Sequence, residues 1–259
     1  MNIVTDIKEW RRLREGLQGS IGFVPTMGHL HEGHLDLVRR ARAENSIVVA
    51  SIFVNPTQFN QPSDFEKYQR TLKEDCALLA KEGVDHVFHP EAKAMYPDDY
   101  DVRVTEEVLS NELEGAFRPG HFTGMLTVVL KLLNLVQPRR AYFGEKDYQQ
   151  LLLVQKMASA LFLPVEIIAC PTVRAESGLA LSSRNGRLSD AQKVQAAKIY
   201  ALLTGPLPDG AVKQKLEDEG FKPEYVETKW GRRLAAVWLG DVRLIDNVPA
   251  SAEAQRLAK

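Results

Sequence analysis

Apolar runs and amphipathic stretches alternate along the first two thirds of the chain. Ser46–Val54 (SIVVASIFV) is an apolar run of the kind a strand shows when both its faces are buried. Ile21–Val24, Val84–Phe88, Ala141–Phe143 and Val165–Ala169 are shorter runs of similar character. Helical spacing separates them. Leu35, Leu37, Val38 and Ala41 follow the first run, and Phe65, Leu72, Cys76, Leu79 and Ala80 share one face of a helix expected from Ser63 or Asp64 to about Gly83. Further helices are expected over His121–Gln137, stopped by Pro138, and from about Lys146 to Leu163. This alternation predicts an α/β fold, a parallel sheet with helices on both faces. After Pro171 the pattern changes. Two helices, about Ser189–Leu203 and Gly210–Gly220, precede β-like runs near Tyr225–Thr228, Leu234–Leu239 and Val242–Ile245. The chain therefore reads as a main domain over residues 1–172 and a small α+β domain over 173–259.

Parallel sheets bind ligands beyond the carboxyl ends of their strands. Three polar segments follow strands at that edge: Pro25–His34 (PTMGHLHEGH), Asn55–Gln58 (NPTQ) and Gly144–Asp147 (GEKD). The first places His31 and His34 at a helix start. A helix N-terminus offers unpaired N–H groups and partial positive charge, which suit a phosphate. Gly28 and Gly33 allow close backbone approach, and the two histidines can donate to phosphate oxygens. Two other readings compete. His29, His31 and His34 could ligate a metal, but their spacing fits no common zinc pattern, no cysteine lies nearby, and HEGH is one residue short of HExxH. The same residues could also cap the helix for structural reasons alone.

Composition narrows the picture further. Acidic and basic residues nearly cancel, 34 against 33, so no basic field draws the chain to nucleic acid. No apolar stretch is long enough for a bilayer span, and the opening residues lack a signal-peptide pattern. The two cysteines, Cys76 and Cys170, fit no motif and read as reduced thiols of a cytoplasmic protein. There is no GxxxxGK[ST] loop, no GxGxxG after the first strand and no GxSxG elbow.

PTMGHLHEGH, SIFVNPTQFN, YQRTLKED, RPGHFTGMLTVVLKLLN, FGEKDYQQL, PTVRAESGLALSSRN and RLIDN, in that order, resemble the pantoate–β-alanine ligase (pantothenate synthetase) family up to residue 247. The resemblance implies a Rossmann-like nucleotidyltransferase domain, a small C-terminal lid domain and a homodimer. It implies ligation of pantoate to β-alanine with ATP, through a pantoyl-adenylate, with magnesium accompanying the triphosphate. By resemblance, Met27, Gly28, His29, Leu30, His31, Glu32, Gly33 and His34 contact ATP, with His34 the active-site histidine and His31 its partner. Lys146 meets the phosphates, while Gly144, Glu145 and Asp147 complete that ATP contact, with Gly144 and Asp147 at the ribose. Val173 recognises adenine, and Leu181, Ser182, Ser183 and Arg184 close over the phosphates. Gln58 and Gln150 anchor pantoate, and Gln58 also holds β-alanine, with Asn55 a further candidate. Met125, Val128, Val129 and Leu132 share a helical face suited to an apolar wall for pantoate, with Pro25, Met27, Phe53 and Phe143. Asp75 is a candidate magnesium ligand, with no metal site otherwise assigned. His29, Ser177 and Arg187 depart from the expected pattern, and the segment before RLIDN is short. A different nucleotidyltransferase of the same superfamily would keep the histidine motif but need neither FGEKDYQQ nor RTLKED, and the intact His31, His34, Lys146 and Arg184 argue against a non-catalytic nucleotide-binding paralogue.

Overall fold

The computed structural model describes residues 1–60 and 62–250, and the chain divides into two compact units. The first comprises residues 1–145 and 149–170, the second residues 146–148 and everything described from Pro171 onward. Lys146–Tyr148 thus group with the second unit, whereas the sequence reading had them in the first.

The first unit is built on six parallel strands: β1 (Asn2–Val4), β2 (Ile21–Thr26), β3 (Ile47–Ile52), β4 (His86–Phe88), β5 (Arg140–Gly144) and β6 (Glu166–Cys170). Their order is β1-β4-β3-β2-β5-β6. The switch in order lies beside β2, where such sheets leave a crevice for ligand. Residues alternate between two buried layers. Val24, Val48, Ala50, Ile52 and Val87 pack with Leu37, Val38 and Ala41 of α2 (Glu32–Glu44) and Leu79 of α4 (Leu72–Lys81). On the other side, Trp10 of α1 (Ile7–Gly16) lies 5.0 Å from Phe88 and donates from Nε1 to the Leu135 carbonyl at 2.8 Å. Leu135 belongs to α7 (His121–Val136), which ends at Gln137 in the left-handed region immediately before Pro138.

The helix expected from residue 63 or 64 to 83 is in fact two, α3 (Pro62–Glu66) and α4, broken at residues 67–71. At the break the Tyr68 ring packs edge-on against Phe59 at 5.8 Å, and the Thr71 hydroxyl, at the N-cap of α4, donates to Asp75 four residues on at 3.1 Å. Short helices α5 (Ala92–Met95) and α6 (Glu114–Phe117) lead into α7. Residues 145–147 form a single 3-10 turn before α8 (Tyr148–Ala160), so the regular helix begins two residues later than the spacing suggests.

The second unit is an antiparallel meander, β7 (Lys222–Lys229), β8 (Arg232–Leu239) and β9 (Val242–Pro249), with α9 (Asp190–Thr204) and α10 (Asp209–Asp218). Its core joins Ile199 and Leu203 of α9 and Leu216 of α10 to Val237 and Leu244 of the sheet. Ser189 and Gln192 start α9 with a reciprocal capping box.

Candidate active site

The turn after β2 is the most constrained part of the first unit. Gly28 adopts φ +80°, and a Cβ there would stand 2.9 Å from Asp75 Oδ2 and 3.1 Å from Ile52 Cγ2, so both conformation and space require glycine. Asp75 is 2 % exposed, and its two oxygens accept from the His29 and Leu30 amides at 2.9 and 2.8 Å. His31 is the N-cap of α2. Its Nδ1 accepts from the Gly33 amide at 3.2 Å, while Nδ1 of His34 accepts from the His31 amide at 3.3 Å. Two imidazoles therefore form a reciprocal capping box, the role usually given to a hydroxyl and a carboxamide.

This geometry corrects two expectations. The amides of Gly28, His29, Leu30, His31 and Gly33 already donate within the protein, so the helix start is not an open set of N–H donors. Because each Nδ1 accepts a hydrogen bond, a neutral ring carries its proton at Nε2, and the rings supply the polar chemistry of the turn. The structural and the chemical readings of these histidines are thus compatible. Asp75 holds the turn through both carboxylate oxygens. Among the described residues, no cluster of three or more His, Cys, Asp or Glu side chains is suited to a metal ion.

Not every residue of the turn presents its side chain. Leu30 packs on the core, and exposed Glu32 pairs with Arg39, whose hydrogen bond pulls the carboxyl below its ordinary range. Met27 is half-buried, and its Sδ lies 3.3 Å from Nε2 of Gln58.

Gln58 sits in the 3-10 turn Pro56–Gln58 after β3 and is held from several sides. Asn55, 1 % exposed, donates to Gln58 Oε1 at 2.9 Å and accepts from the Tyr96 hydroxyl at 2.6 Å and the Thr57 hydroxyl at 3.0 Å. Burial raises the Tyr96 phenol to about 12, so it remains a donor. Asn55 is thus engaged in fixing Gln58, and Gln58 presents Nε2. His121 donates from Nδ1 to the Gln58 carbonyl at 2.8 Å, while its Nε2 lies 3.1 Å from Arg118, which can only donate. Gly124 lets α7 lie against this turn; a Cβ there would meet the Thr57 carbonyl oxygen at 2.4 Å. Gln149 and Gln150 divide their work. Buried Gln149 bonds the Glu114 amide and the carbonyls of Leu109 and Glu112, whereas half-buried Gln150 makes no side-chain hydrogen bond among the described residues. Met125, Val128, Val129 and Leu132 are all buried, as are Phe53 and Phe143. Gly144 and Glu145 close β5 at its carboxyl end.

In the second unit, one small cleft is lined by Lys146, Ser182, Arg184, Asn185, Arg243 and Asp246. Ser182 Oγ accepts from the Arg184 amide at 3.2 Å and starts a 3-10 turn over Ser183–Arg187. The Val173 carbonyl accepts from the Leu181 amide at 3.0 Å, closing the strap before that turn. Asp147 is exposed beside Lys146. The sequence reading assigned no role to Tyr96, Gly124, Arg174, Asp246 or Asn247. All but Tyr96 lie in the motifs RPGHFTG, PTVRAESG and RLIDN, which were the available signal.

Comparison with known proteins agrees in sequence and in structure. The chain is 49 % identical over 248 residues to a pantothenate synthetase of Coxiella burnetii, covering 95 % of this chain and 96 % of the relative. It is also 49 % identical over 249 residues to one from Legionella pneumophila, covering 95 % and 99 %. A crystallised pantoate-beta-alanine ligase from Francisella tularensis, complexed with beta-gamma ATP and beta-alanine, superposes with a TM-score of 0.92 at 44 % identity, over 96 % of this chain and 97 % of that one. Pantothenate synthetase from Thermus thermophilus superposes with a TM-score of 0.88 at 43 % identity, over 96 % and 99 %. The Pantoate-beta-alanine ligase family model matches residues 2–249, and the chain belongs to that family.

Proposed function

We propose that the chain joins pantoate to β-alanine with ATP, passing through a pantoyl-adenylate and releasing first pyrophosphate and then AMP. Family membership and the ATP and β-alanine complex of the Francisella relative support this reading. The single observation that carries it is the histidine capping box immediately after β2, which sets both imidazoles with their protons at Nε2.

In the first step a pantoate carboxylate oxygen attacks the α-phosphorus, and the bond to the bridging oxygen of pyrophosphate breaks. Charge grows on the leaving group, and catalysis consists largely of placing donors around it. His34 and His31 donate from Nε2, and Lys146, Ser182, Ser183 and Arg184 supply cationic and hydroxyl donors. Met27 and the neighbouring turn residues contact the nucleotide, with Gly144 and Asp147 at the ribose, Glu145 beside them, and Val173 at adenine. Magnesium would accompany the triphosphate and offset its charge; among the described residues no cluster of three or more His, Cys, Asp or Glu side chains is suited to hold it.

Gln58 and Gln150 anchor pantoate, and Gln58 also orients β-alanine. Neutral amides hold carboxylate and hydroxyl groups without trapping them as ion pairs. In the second step the β-alanine nitrogen attacks the acyl carbonyl, the acyl–oxygen bond breaks, and AMP leaves. The enzyme works as a cytoplasmic homodimer; no helix among the described residues is long and apolar enough to cross a membrane.

The test is isotope exchange between pyrophosphate and ATP. Exchange that needs pantoate but not β-alanine is expected. A strict requirement for β-alanine contradicts a separate adenylation step.

A further inference from the structure

Two adjacent polar residues on β9, Asp246 and Asn247, are 5 % and 2 % exposed. Buried polar side chains persist where they satisfy specific partners, and these two lead to the two polar segments that line the cleft. Asn247 Nδ2 donates to the Lys146 carbonyl at 2.9 Å, and its Oδ1 accepts from Arg232 Nη1 at 2.7 Å. An arginine only donates, so Arg232 fixes which end of the amide faces Lys146. The Arg232 guanidinium also lies 4.6 Å from the centre of the Tyr148 ring, which holds the chain two residues further on.

Asp246 grips Arg174 through two hydrogen bonds, 2.7 and 2.8 Å long. Arg174 donates in turn to the carbonyls of Gly178 and Asn247, both at 3.1 Å, and stacks 4.0 Å over the Tyr200 ring. Arg174 opens the strap that delivers Ser182–Arg184. The segment that carries Lys146 is a single 3-10 turn, Glu145–Asp147, and the Asn247 bond holds its backbone from β9.

We infer that Asn247 is a positioning residue for Lys146: its bond to the Lys146 carbonyl sets where the ammonium group can reach. Asp246, through Arg174, frames the neighbouring turn in the same way. The inference rests on the proposed role of Lys146 at the phosphates. Asn247 touches no reacting group; it acts through the lysine.

The test is a double-mutant cycle on the full chain, with ATP, pantoate and β-alanine as substrates. Asn247→Ala is expected to lower kcat about tenfold or more, because small displacements of a catalytic group are costly. KM for pantoate stays near wild type. In a Lys146→Ala background the same substitution costs nothing further in kcat, although it lowers the melting temperature equally in both backgrounds. Arg232→Met, which removes the group that fixes the amide together with its contact to the Tyr148 ring, gives a smaller kcat loss with the same dependence on Lys146, and serves if Asn247→Ala does not fold. Additive losses of kcat, or wild-type kcat in Asn247→Ala, overturn the positioning role while leaving that of Lys146 intact. Wild-type kcat in Lys146→Ala removes the lysine from the phosphates and the inference with it.

Discussion

In the first unit the rings of His31 and His34 are fixed by backbone groups two and three residues away, whereas in the second Lys146 and Arg174 are tied to partners 101 and 72 positions along the chain. The histidine turn is largely a local object. Its cap closes within the motif itself, and Asp75 and Tyr68 reach the turn from a distance. The lysine–arginine cleft has local bonds too, such as those from the Arg184 amide to Ser182 Oγ and from Arg174 to the Gly178 carbonyl. Its 3-10 turn and strap are held from β9 as well. Both regions carry donors suited to phosphate, but damage should spread differently in each. A lesion at the histidines costs chemistry first, whereas one at β9 costs structure first.

The largest expected effect is at Asp246. Asp246→Ala leaves the mostly buried guanidinium of Arg174 without its carboxylate, and breaking a buried pair from one side costs about 3–5 kcal/mol. Thermal denaturation should show the loss, and hydrogen exchange should rise across residues 173–185 before it rises across 28–34. Equal loosening of both segments would erase the contrast.

His34→Ala comes next. Loss of one donor to transition-state charge lowers kcat by roughly 10²–10³-fold. The substitution also removes the acceptor for the His31 amide. His34→Asn separates the two effects, because its amide oxygen can restore the cap but not the Nε2 donor. Stability near wild type with kcat still depressed is the expected pair of results. Full recovery of turnover in His34→Asn would reduce His34 to a helix cap.

Asp75→Asn is a milder test of a long-range support of the histidine turn. One of the two backbone amides at His29 and Leu30 then faces an NH2 group instead of an oxygen, a loss of about 1–3 kcal/mol. The melting temperature and kcat should fall together. A change in kcat without any change in stability would instead point to a direct chemical role for the carboxylate.

The smallest effect concerns pH. All six histidines lie at or before residue 121, so only the first unit can lose stability through histidine titration. His86 is buried, its Nδ1 has no hydrogen-bond partner among the described residues, and burial lowers its pKa below the ordinary value. The unfolded chain therefore binds the proton more readily than the folded one. Stability is full above about pH 6.5 and declines as the pH falls from there toward the folded value. Between neutral and mildly acidic pH the melting temperature of wild type should fall relative to that of His86→Leu. Parallel curves would assign the acid sensitivity elsewhere.

The difference between the two regions also explains how far the sequence could be read. Apolar runs over Ile21–Val24 and Ser46–Val54 marked strands, because a strand buried on both faces must be apolar throughout. The histidine motif marked a helix start because capping is a matter of neighbouring residues. The three-residue strand β1 carries too little pattern to be noticed. The break at 67–71 was hidden because the apolar spacing runs on through it, while Tyr68 packs against Phe59 of the preceding turn. Nor does spacing distinguish Gln149 from Gln150. Only the surrounding carbonyls and the Glu114 amide show which of the two is engaged in structure.

By itself, then, the sequence determined the alternation of strands and helices, the change of architecture after Pro171, the candidate donors and the family resemblance. All of these depend on residue type and short-range order along the chain. The tertiary structure alone decided that Asp75 holds a turn, that Asn55 and His121 fix Gln58 from two sides, and that Asn247 reaches the Lys146 carbonyl. Those roles turn on which atom of a side chain meets which partner far along the chain, and that pairing is set by how strands and helices pack.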